Sequence, residues 1–571
     1  MRSVAIVGAG QSALVLGLGL LARGYEVTLV SNRNATEIAT GPVLSSQCMF
    51  ESALQIEKAL GLDFWAAECP AIERLELSVT QPSIRWSAPL DWPAGSVDQR
   101  LKLSTWLDLF DQRGGTLTIR EASVDDLEEL ATTHDLVVVA TGRGELGAIF
   151  QRDGEKSPYD RPQRGLAVTY LVGAEPRPAV SFNLVPGVGE CIVLPALTAE
   201  RPCDIVVFEG VIGGPLDSWD DARTPDEHLA RTLELLERFV PHEAKRLRRA
   251  TLSDVNGILT GRFAPTVRAP VAQLPSGRYV LGMADAIVLN DPVTGQGANN
   301  AVKCADVFLS GILEHGDEEF TADWMRRTFD RYWRGYGQWA VSWTNAMLAG
   351  PSDHVVRLLT AAGELPALAT TIARGFDDPR VLFPWWYDPG EADRLIAHHR
   401  SQAPDGGFDA HDFRRALGQF TTGVTVVTTR GLDGRRVGVT ANSFSSVSLE
   451  PPLVLWCLDK HSSSLPAFVE CTQFAVNVLA AEQHHLSRQF ATPADDKFAG
   501  VEAADGPGGI PLLDGVVARY LCRNLRQIDA GDHLIFLGEV EAYDTFEREP
   551  LVFHSGVYRI VTRHPELVET R

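Results

Sequence analysis

The chain has 571 residues, 45% of them hydrophobic and 22% charged, which is the make-up of a soluble globular protein with room for roughly three or four domain-sized units. Its net charge of −22 argues against nucleic acid or an anionic membrane as partner, since both would repel it. Eight cysteines are scattered with no C-x-x-C pair, so neither a zinc site nor a disulfide framework is expected; no leader pattern is seen, and the expected compartment is the reducing cytoplasm.

Residues 4–7 read as a short buried parallel strand, followed at once by Gly8-Ala9-Gly10-Gln11-Ser12-Ala13 and a leucine-rich helix that stops near Gly24. A second apolar run follows at 27–30. Strand, G-x-G-x-x-A turn, helix and strand form a variant of the dinucleotide fingerprint. Gly8 allows the tight turn, Gly10 lets backbone approach a pyrophosphate, and Ala13 keeps helix close to strand. Gln11 and Ser12 open the helix, where unpaired N–H groups face phosphate. An acid is expected at the end of the second strand to hold the ribose. This chain has Ser31-Asn32-Arg33, so Asn32 and Arg33 are the candidate contacts, and the dinucleotide is expected to be held less tightly than usual.

Further along, 52–60 reads as a helix ended by Gly61, and 75–93 as a strand pair. A helix carrying Leu103, Trp106, Leu107 and Phe110 leads to a strand at 116–119. A continuous apolar run from Leu136 ends in Ala140-Thr141-Gly142, the way a central strand arrives beneath a bound dinucleotide. Residues 165–215 are rich in strand patterns. Thr224-Pro225-Asp226-Glu227 predicts a capped helix with Leu229, Leu233, Leu236 and Val240 on its buried face. Tryptophan-rich helices are expected over 318–400 and a linker over 401–407. A short helix at 413–420 then precedes many strands, the pattern of a small β-barrel.

The segment Gly282-Met283-Ala284-Asp285-Ala286, then Pro292, then Gly295-Gln296-Gly297-Ala298-Asn299 resembles flavoprotein monooxygenases of the para-hydroxybenzoate hydroxylase fold. The resemblance implies that Asp285 binds the ribitol of FAD and that Pro292 lies beside the isoalloxazine. It also implies that the turn of Gly295, Gln296, Gly297 and Asn299 starts a helix aimed at a flavin carbonyl. A helix N-terminus so placed would stabilise the negative charge of a reduced flavin. Thr141 and Gly142 join this cofactor set, and Arg100 is expected at the pyrophosphate by position in the family pattern.

The stretch Thr440-Ala441-Asn442-Ser443-Phe444-Ser445-Ser446 resembles the short-chain NAD(P)H:flavin reductases that serve two-component monooxygenases. Ser462 and Ser463 match their phosphate-contacting turn, and Gly531-Asp532-His533 their segment near the nicotinamide. By this resemblance, Thr440, Ala441, Asn442, Ser443, Ser445 and Ser446 hold flavin, and His533 orients nicotinamide or takes part in proton transfer.

Taken together, Arg143-Gly144-Glu145-Leu146, Ser157-Pro158-Tyr159-Asp160-Arg161-Pro162 and Gly213-Gly214-Pro215-Leu216-Asp217 make the whole similar to the styrene monooxygenase family, in the type that joins epoxidase and reductase on one polypeptide. The implied fold is α/β followed by β. A Rossmann-like FAD-binding domain (1–75, 94–165, 275–330) carries an inserted substrate sheet (76–93, 166–274) and C-terminal helices (331–400). A split β-barrel reductase spans 408–571. The implied chemistry is reduction of exchangeable FAD by NADH on the barrel, reaction of reduced FAD with O2 to a C4a-hydroperoxide in the front portion, and epoxidation of a small vinyl aromatic or indole. Thr141 stands where single-component hydroxylases carry an Asp that helps nicotinamide reach the flavin, so hydride is expected to enter only through the barrel. In the turn after Gly41, Ser46 stands where the resemblance leads to Asn. A homodimer through the barrel is implied. Other readings fit the same residues: a fused aromatic ring hydroxylase, a reductase feeding a separate epoxidase subunit, or a flavin-based redox sensor.

Overall fold

The computed structural model describes residues 2–142, 144–402, 416–431, 434–492, 494 and 496–561. Arg143, the end of the expected linker and the start of the expected 413–420 helix lie outside the described residues. The chain divides into two compact units, Met1–Ala403 and Pro404–Arg571.

The first unit is built on two sheets. One has the strand order Val271–Gln273, Tyr279–Gly282, Leu136–Val139, Ser3–Val7, Glu26–Ser31, Thr116–Ile119. All neighbours are parallel except the first pair. Strands buried on both faces need apolar residues at every position, and Val4, Ala5, Ile6 and Val7, like Leu136 to Val139, are all buried. The helix Gln11–Leu21 is apolar all round and accordingly buried all round. Gly19 lies where a Cβ would meet Leu309 at 2.6 Å, so this helix packs directly on the helix Gln296–His315.

The other sheet runs Thr251–Leu252, Arg164–Val172, Pro202–Val211, Gly189–Leu197, Ala179–Val185, Ile72–Val79, Ile84–Ala94, with Ile258–Gly261 also paired to Arg164–Val172. Both its faces are covered, and alternation along one strand shows how. Ile205 and Val207 join Leu75, Phe182 and Leu194 against the helices Asp353–Ala362 and Pro366–Arg374. Val206 and Phe208 face the helix Pro225–Phe239 with Leu235 and Leu236.

That last helix starts as the sequence predicts: Thr224 and Glu227 form a reciprocal capping box. Its buried face is rotated from the expected one. His228 and Thr232 are buried, while Leu229 and Leu233 are only half-buried. Thr169 is the reason, with its hydroxyl 3.0 Å from His228 Nε2 and 2.8 Å from the Thr232 hydroxyl. A polar contact on the sheet turned the helix away from its apolar stripe.

The second unit has one antiparallel seven-stranded sheet: Arg436–Ala441, Thr425–Arg430, Gln473–Val478, Ala518–Ala530, His533–Thr545, Pro452–Asp459, Ser445–Leu449. The run expected as one strand over 436–447 is therefore two, and these two form the opposite edges of the sheet. If flat, the edges would stand about 29 Å apart at the usual strand spacing. The link of Asn442, Ser443 and Phe444 spans at most about 14 Å. The sheet must curl until its edges approach. Trp456, Phe468, Phe474 and Phe536 fill the interior of this curl.

Candidate active site

In open α/β sheets, ligands sit beyond the carboxyl ends of the strands where strand order reverses. Here that place lies between Ser3–Val7 and Leu136–Val139, and the glycine turns of both strands meet there. Gly8 has φ +111°, and a Cβ on it would lie 3.3 Å from Ala140 C and Thr141 N. A Cβ on Gly142 would lie 2.2 Å from the carbonyl oxygen of Asp285. These close approaches bring Gly8, Thr141, Gly142 and Asp285 into one cluster. Asp285 is exposed, and a Cβ on Gly10, Gly295 or Gly297 would meet only open space. The cluster thus offers bare backbone and helix starts along an open front, which fits an extended, phosphate-bearing cofactor. Ser12 and Ala13 are buried beneath it; Asn32 is exposed and Arg33 half-buried at the end of the second strand.

Several side chains expected on the cofactor turn inward instead. Gln11 donates to Glu57 Oε1 at 2.7 Å and accepts from Gln99 at 3.2 Å. Glu57 also takes two bonds from Lys102, at 2.8 Å each, and both residues are buried. Gln296 donates to Phe376 O at 2.8 Å. Asn299 donates to Cys48 O at 2.7 Å and accepts from Phe50 N–H at 2.9 Å. What Gln11, Gln296 and Asn299 leave for a ligand is backbone.

Arg100, expected at the pyrophosphate, bonds within the protein. Its guanidinium forms bonds of 2.7–3.2 Å to Asp98 and 2.8–2.9 Å to Asp254. Burial works against its charge, but the bonds to Asp254 and Asp98 outweigh it and raise its pKa. The bond from Arg100 in turn holds Asp254 below the usual carboxylate range. With its donors committed to two carboxylates, Arg100 is a strut between Asp98 at the start of its helix and Asp254 in the loop between the strands Thr251–Leu252 and Ile258–Gly261.

The inward bonds reveal what the sequence did not. Gln296 and Asn299 hold the main chain beside Phe376 and Phe50, and Thr294 lies 2.7 Å, hydroxyl to hydroxyl, from Thr344, next to Trp343. Those rings form one cluster. Phe376 has Phe182 at 4.6 Å, Trp343 at 4.9 Å and Phe50 at 6.0 Å between centroids. An aromatic wall is therefore anchored to the turn after Pro292, which is itself half-buried. Phe50, Phe182, Trp343 and Phe376 are far apart in sequence and carry no local motif. The turn after Gly41 is tied to the same sheet, with Tyr170 donating to Ser45 O at 3.3 Å.

In the second unit the expected residues divide. Thr440 donates to Ser487 O at 2.7 Å, Ala441 is buried, and Ser443 accepts from Cys457 N–H at 2.9 Å. Thr440 and Ser443 therefore spend their hydroxyls inside the unit, on the helix His484–Ala491 and the strand Pro452–Asp459. Asn442, Ser445 and Ser446 are exposed at the link between the curled edges. His533 pairs with Asp459 in the ladder, and Lys460 N–H bonds to Asp532 O at 3.0 Å. His533, with Nδ1 2.8 Å from Asp532 Oδ1, is thus held near the start of the turn that carries Ser462 and the exposed Ser463.

Comparison with known proteins bears on both units. Residues 142–246 match the family model "Styrene monooxygenase A putative substrate binding domain", and residues 417–562 match "Flavin reductase like domain". A styrene monooxygenase StyA of Pseudomonas fluorescens is 32% identical over 365 residues, covering 62% of this chain and 86% of that protein. An FMN reductase (NADH) SmoA of Agrobacterium fabrum is 46% identical over 153 residues, covering 27% of this chain and 87% of that protein. The solved Streptomyces globisporus C-1027 NADH:FAD oxidoreductase SgcE6, in complex with NAD and FAD fragments, is 41% identical, with 28% of this chain and 96% of that one covered and a TM-score of 0.27. The chain belongs to the styrene monooxygenase family and carries a flavin reductase domain on the same polypeptide.

Proposed function

We propose that this chain is a self-sufficient flavin monooxygenase that epoxidises small vinyl aromatics or indole. Residues 1–400 form the FAD-dependent epoxidase, of the para-hydroxybenzoate hydroxylase type, and 408–571 a split-barrel NADH:FAD oxidoreductase. The observation that carries the reading is the convergence of Gly8, Gly142 and Asp285 at the carboxyl ends of the central strands, beside an aromatic wall. FAD fits the open front in its chemistry: bare backbone at Gly10 and Gly297 for phosphate, Asp285 for hydroxyls, and the Gln296 helix start for negative charge. When bound in reduced form, the flavin supplies the activation of O2.

The chain's own residues do the rest. Asn299, Gln296 and Thr294 fix the turn after Pro292 against Phe50, Phe376 and Trp343, which orient an aromatic substrate and keep water out. The exposed Asn442, Ser445, Ser446 and Ser463 hold flavin on an open strip from which it can leave, and His533 orients the nicotinamide. A ribose held by neutral Asn32 suits a cofactor that exchanges. Exposed Leu449, Tyr543 and Ile560 favour a dimer through the reductase unit.

The test is to give the full chain NADH, FAD and O2 with styrene, indole or a phenol and identify the products. Styrene oxide and indigo are expected. Catechol from the phenol, without epoxide, would establish the ring hydroxylase instead. NADH oxidation with no oxygenated product, rescued by adding a separate epoxidase, would make the chain a reductase donor.

A further inference from the structure

Glu209 lies on the strand Pro202–Val211 with no exposed surface, and among the described residues neither of its carboxylate oxygens meets an N–H or O–H donor. A buried carboxylate without a donor is among the costliest arrangements a fold can hold. Its neighbours make ionisation harder. Glu190 stands directly opposite it in the antiparallel ladder, where like charges repel. Arg164 grips Glu190 through both oxygens, at 2.7 and 2.9 Å, so the nearest guanidinium is already committed.

The other acid facing Glu209 is Asp291, which is 1% exposed and takes a bond of 3.2 Å from Val293 N–H. Tyr159, near Asp291 and Arg164, completes the ionisable groups around the pair; its hydroxyl donates to Asn345 O at 3.2 Å. Burial first, then the charges of Asp291 and Glu190, push Glu209 well above the usual carboxylate range, and burial raises Asp291 as well. Two carboxylates cannot bond to each other, but a carboxyl and a carboxylate can. A proton on Glu209, donated to Asp291, gives both acids a partner.

The position matters because Asp291 immediately precedes Pro292. The pair joins the substrate sheet to the turn on which the proposed flavin site is built. On that reading, the overall oxygen transfer balances as FADH−, O2, alkene and one proton giving FAD, epoxide and water. The proton has to reach a site whose aromatic wall keeps bulk water out.

We propose that Glu209 and Asp291 share one proton at neutral pH and that the pair supplies the proton this balance requires. The O–H bond of the carboxyl breaks, its electron pair stays on the carboxylate, the proton ends in the released water, and the pair takes up another from solvent before the next cycle. The supply role rests on the monooxygenase reading; the shared proton does not.

Infrared spectroscopy of the full chain without ligands tests the shared proton directly. A protonated-carboxyl C=O stretch is expected at pH 7, absent in Glu209→Gln and shifted in Asp291→Asn, where the acceptor changes. No such band in the parent, or a band that neither substitution alters, overturns the proposal. The supply role is read from epoxide formed per NADH consumed across pH. The parent's yield is expected to fall as pH rises through the pair's titration, and that of Glu209→Gln to be about tenfold lower with a flat profile. A Glu209→Gln yield with the parent's profile overturns it. If the parent itself consumes NADH without any oxygenated product, it is the monooxygenase reading that fails, and the infrared band alone decides the shared proton.

Discussion

The two units treat their motif side chains in opposite ways. In the first, Gln11, Gln296, Asn299 and Arg100 all turn into the protein and spend their hydrogen bonds on neighbouring segments. In the second, Asn442, Ser445, Ser446 and Ser463 stand on the surface. The first unit thus leaves fixed backbone and helix starts at its glycine turns, backed by a hydrogen-bonded network. The second presents a strip of movable polar side chains. Preorganised backbone suits a site where reactive chemistry must be sheltered, and an exposed strip suits brief occupancy.

The most forceful way to break this contrast is Lys102→Met. It strands Glu57 and loosens Gln11 behind the glycine turn, so the first unit is expected to lose about 3–5 kcal/mol in urea unfolding. A loss below 1 kcal/mol would mean the network does not brace the site. Acid comes next. His228 is buried, and desolvation lowers its pKa from 6.5 to about 4. The unfolded chain binds this proton from about pH 6.5 downward and the native chain only near 4, so stability falls as pH drops through that window, by up to about 3 kcal/mol. His228→Asn is expected to flatten that slope in thermal melts taken across the window.

Gly142→Ala comes third. Its methyl would meet the Asp285 carbonyl, so we expect a loss of about 2 kcal/mol and, more tellingly, epoxide formation falling further than NADH oxidation. Ser463→Ala is the smallest. It should leave stability within about 0.5 kcal/mol while raising the KM for flavin in NADH oxidation several-fold. If Ser463→Ala costs stability instead, the strip is structural and the contrast between units weakens.

Backbone-level features were legible in the chain itself. The turn at Gly8, the strand ending in Ala140-Thr141-Gly142 and the capping box at Thr224 all rest on local rules, and short motifs report these well. Side-chain direction was not legible. Asn299 has the same place in its motif whether it reaches a ligand or Cys48, and only tertiary packing decides. Arg100 reads as a free cation until Asp254, distant in sequence, arrives beside it. The aromatic wall was invisible because Phe50, Phe182, Trp343 and Phe376 come from four separate elements. The strand break at Asn442 has no proline or glycine to mark it; its one local signal is the turn-forming Asn442-Ser443 pair, which also fits a polar edge strand.

Because Gln296 and Asn299 clasp the peptide groups beside Phe376 and Phe50, reshaping those rings also tugs on the glycine turn that opens the helix Gln296–His315. Under the proposed function, libraries at those rings are best screened with the coenzyme in large excess, so that variants with improved reach are not discarded for a defect in loading.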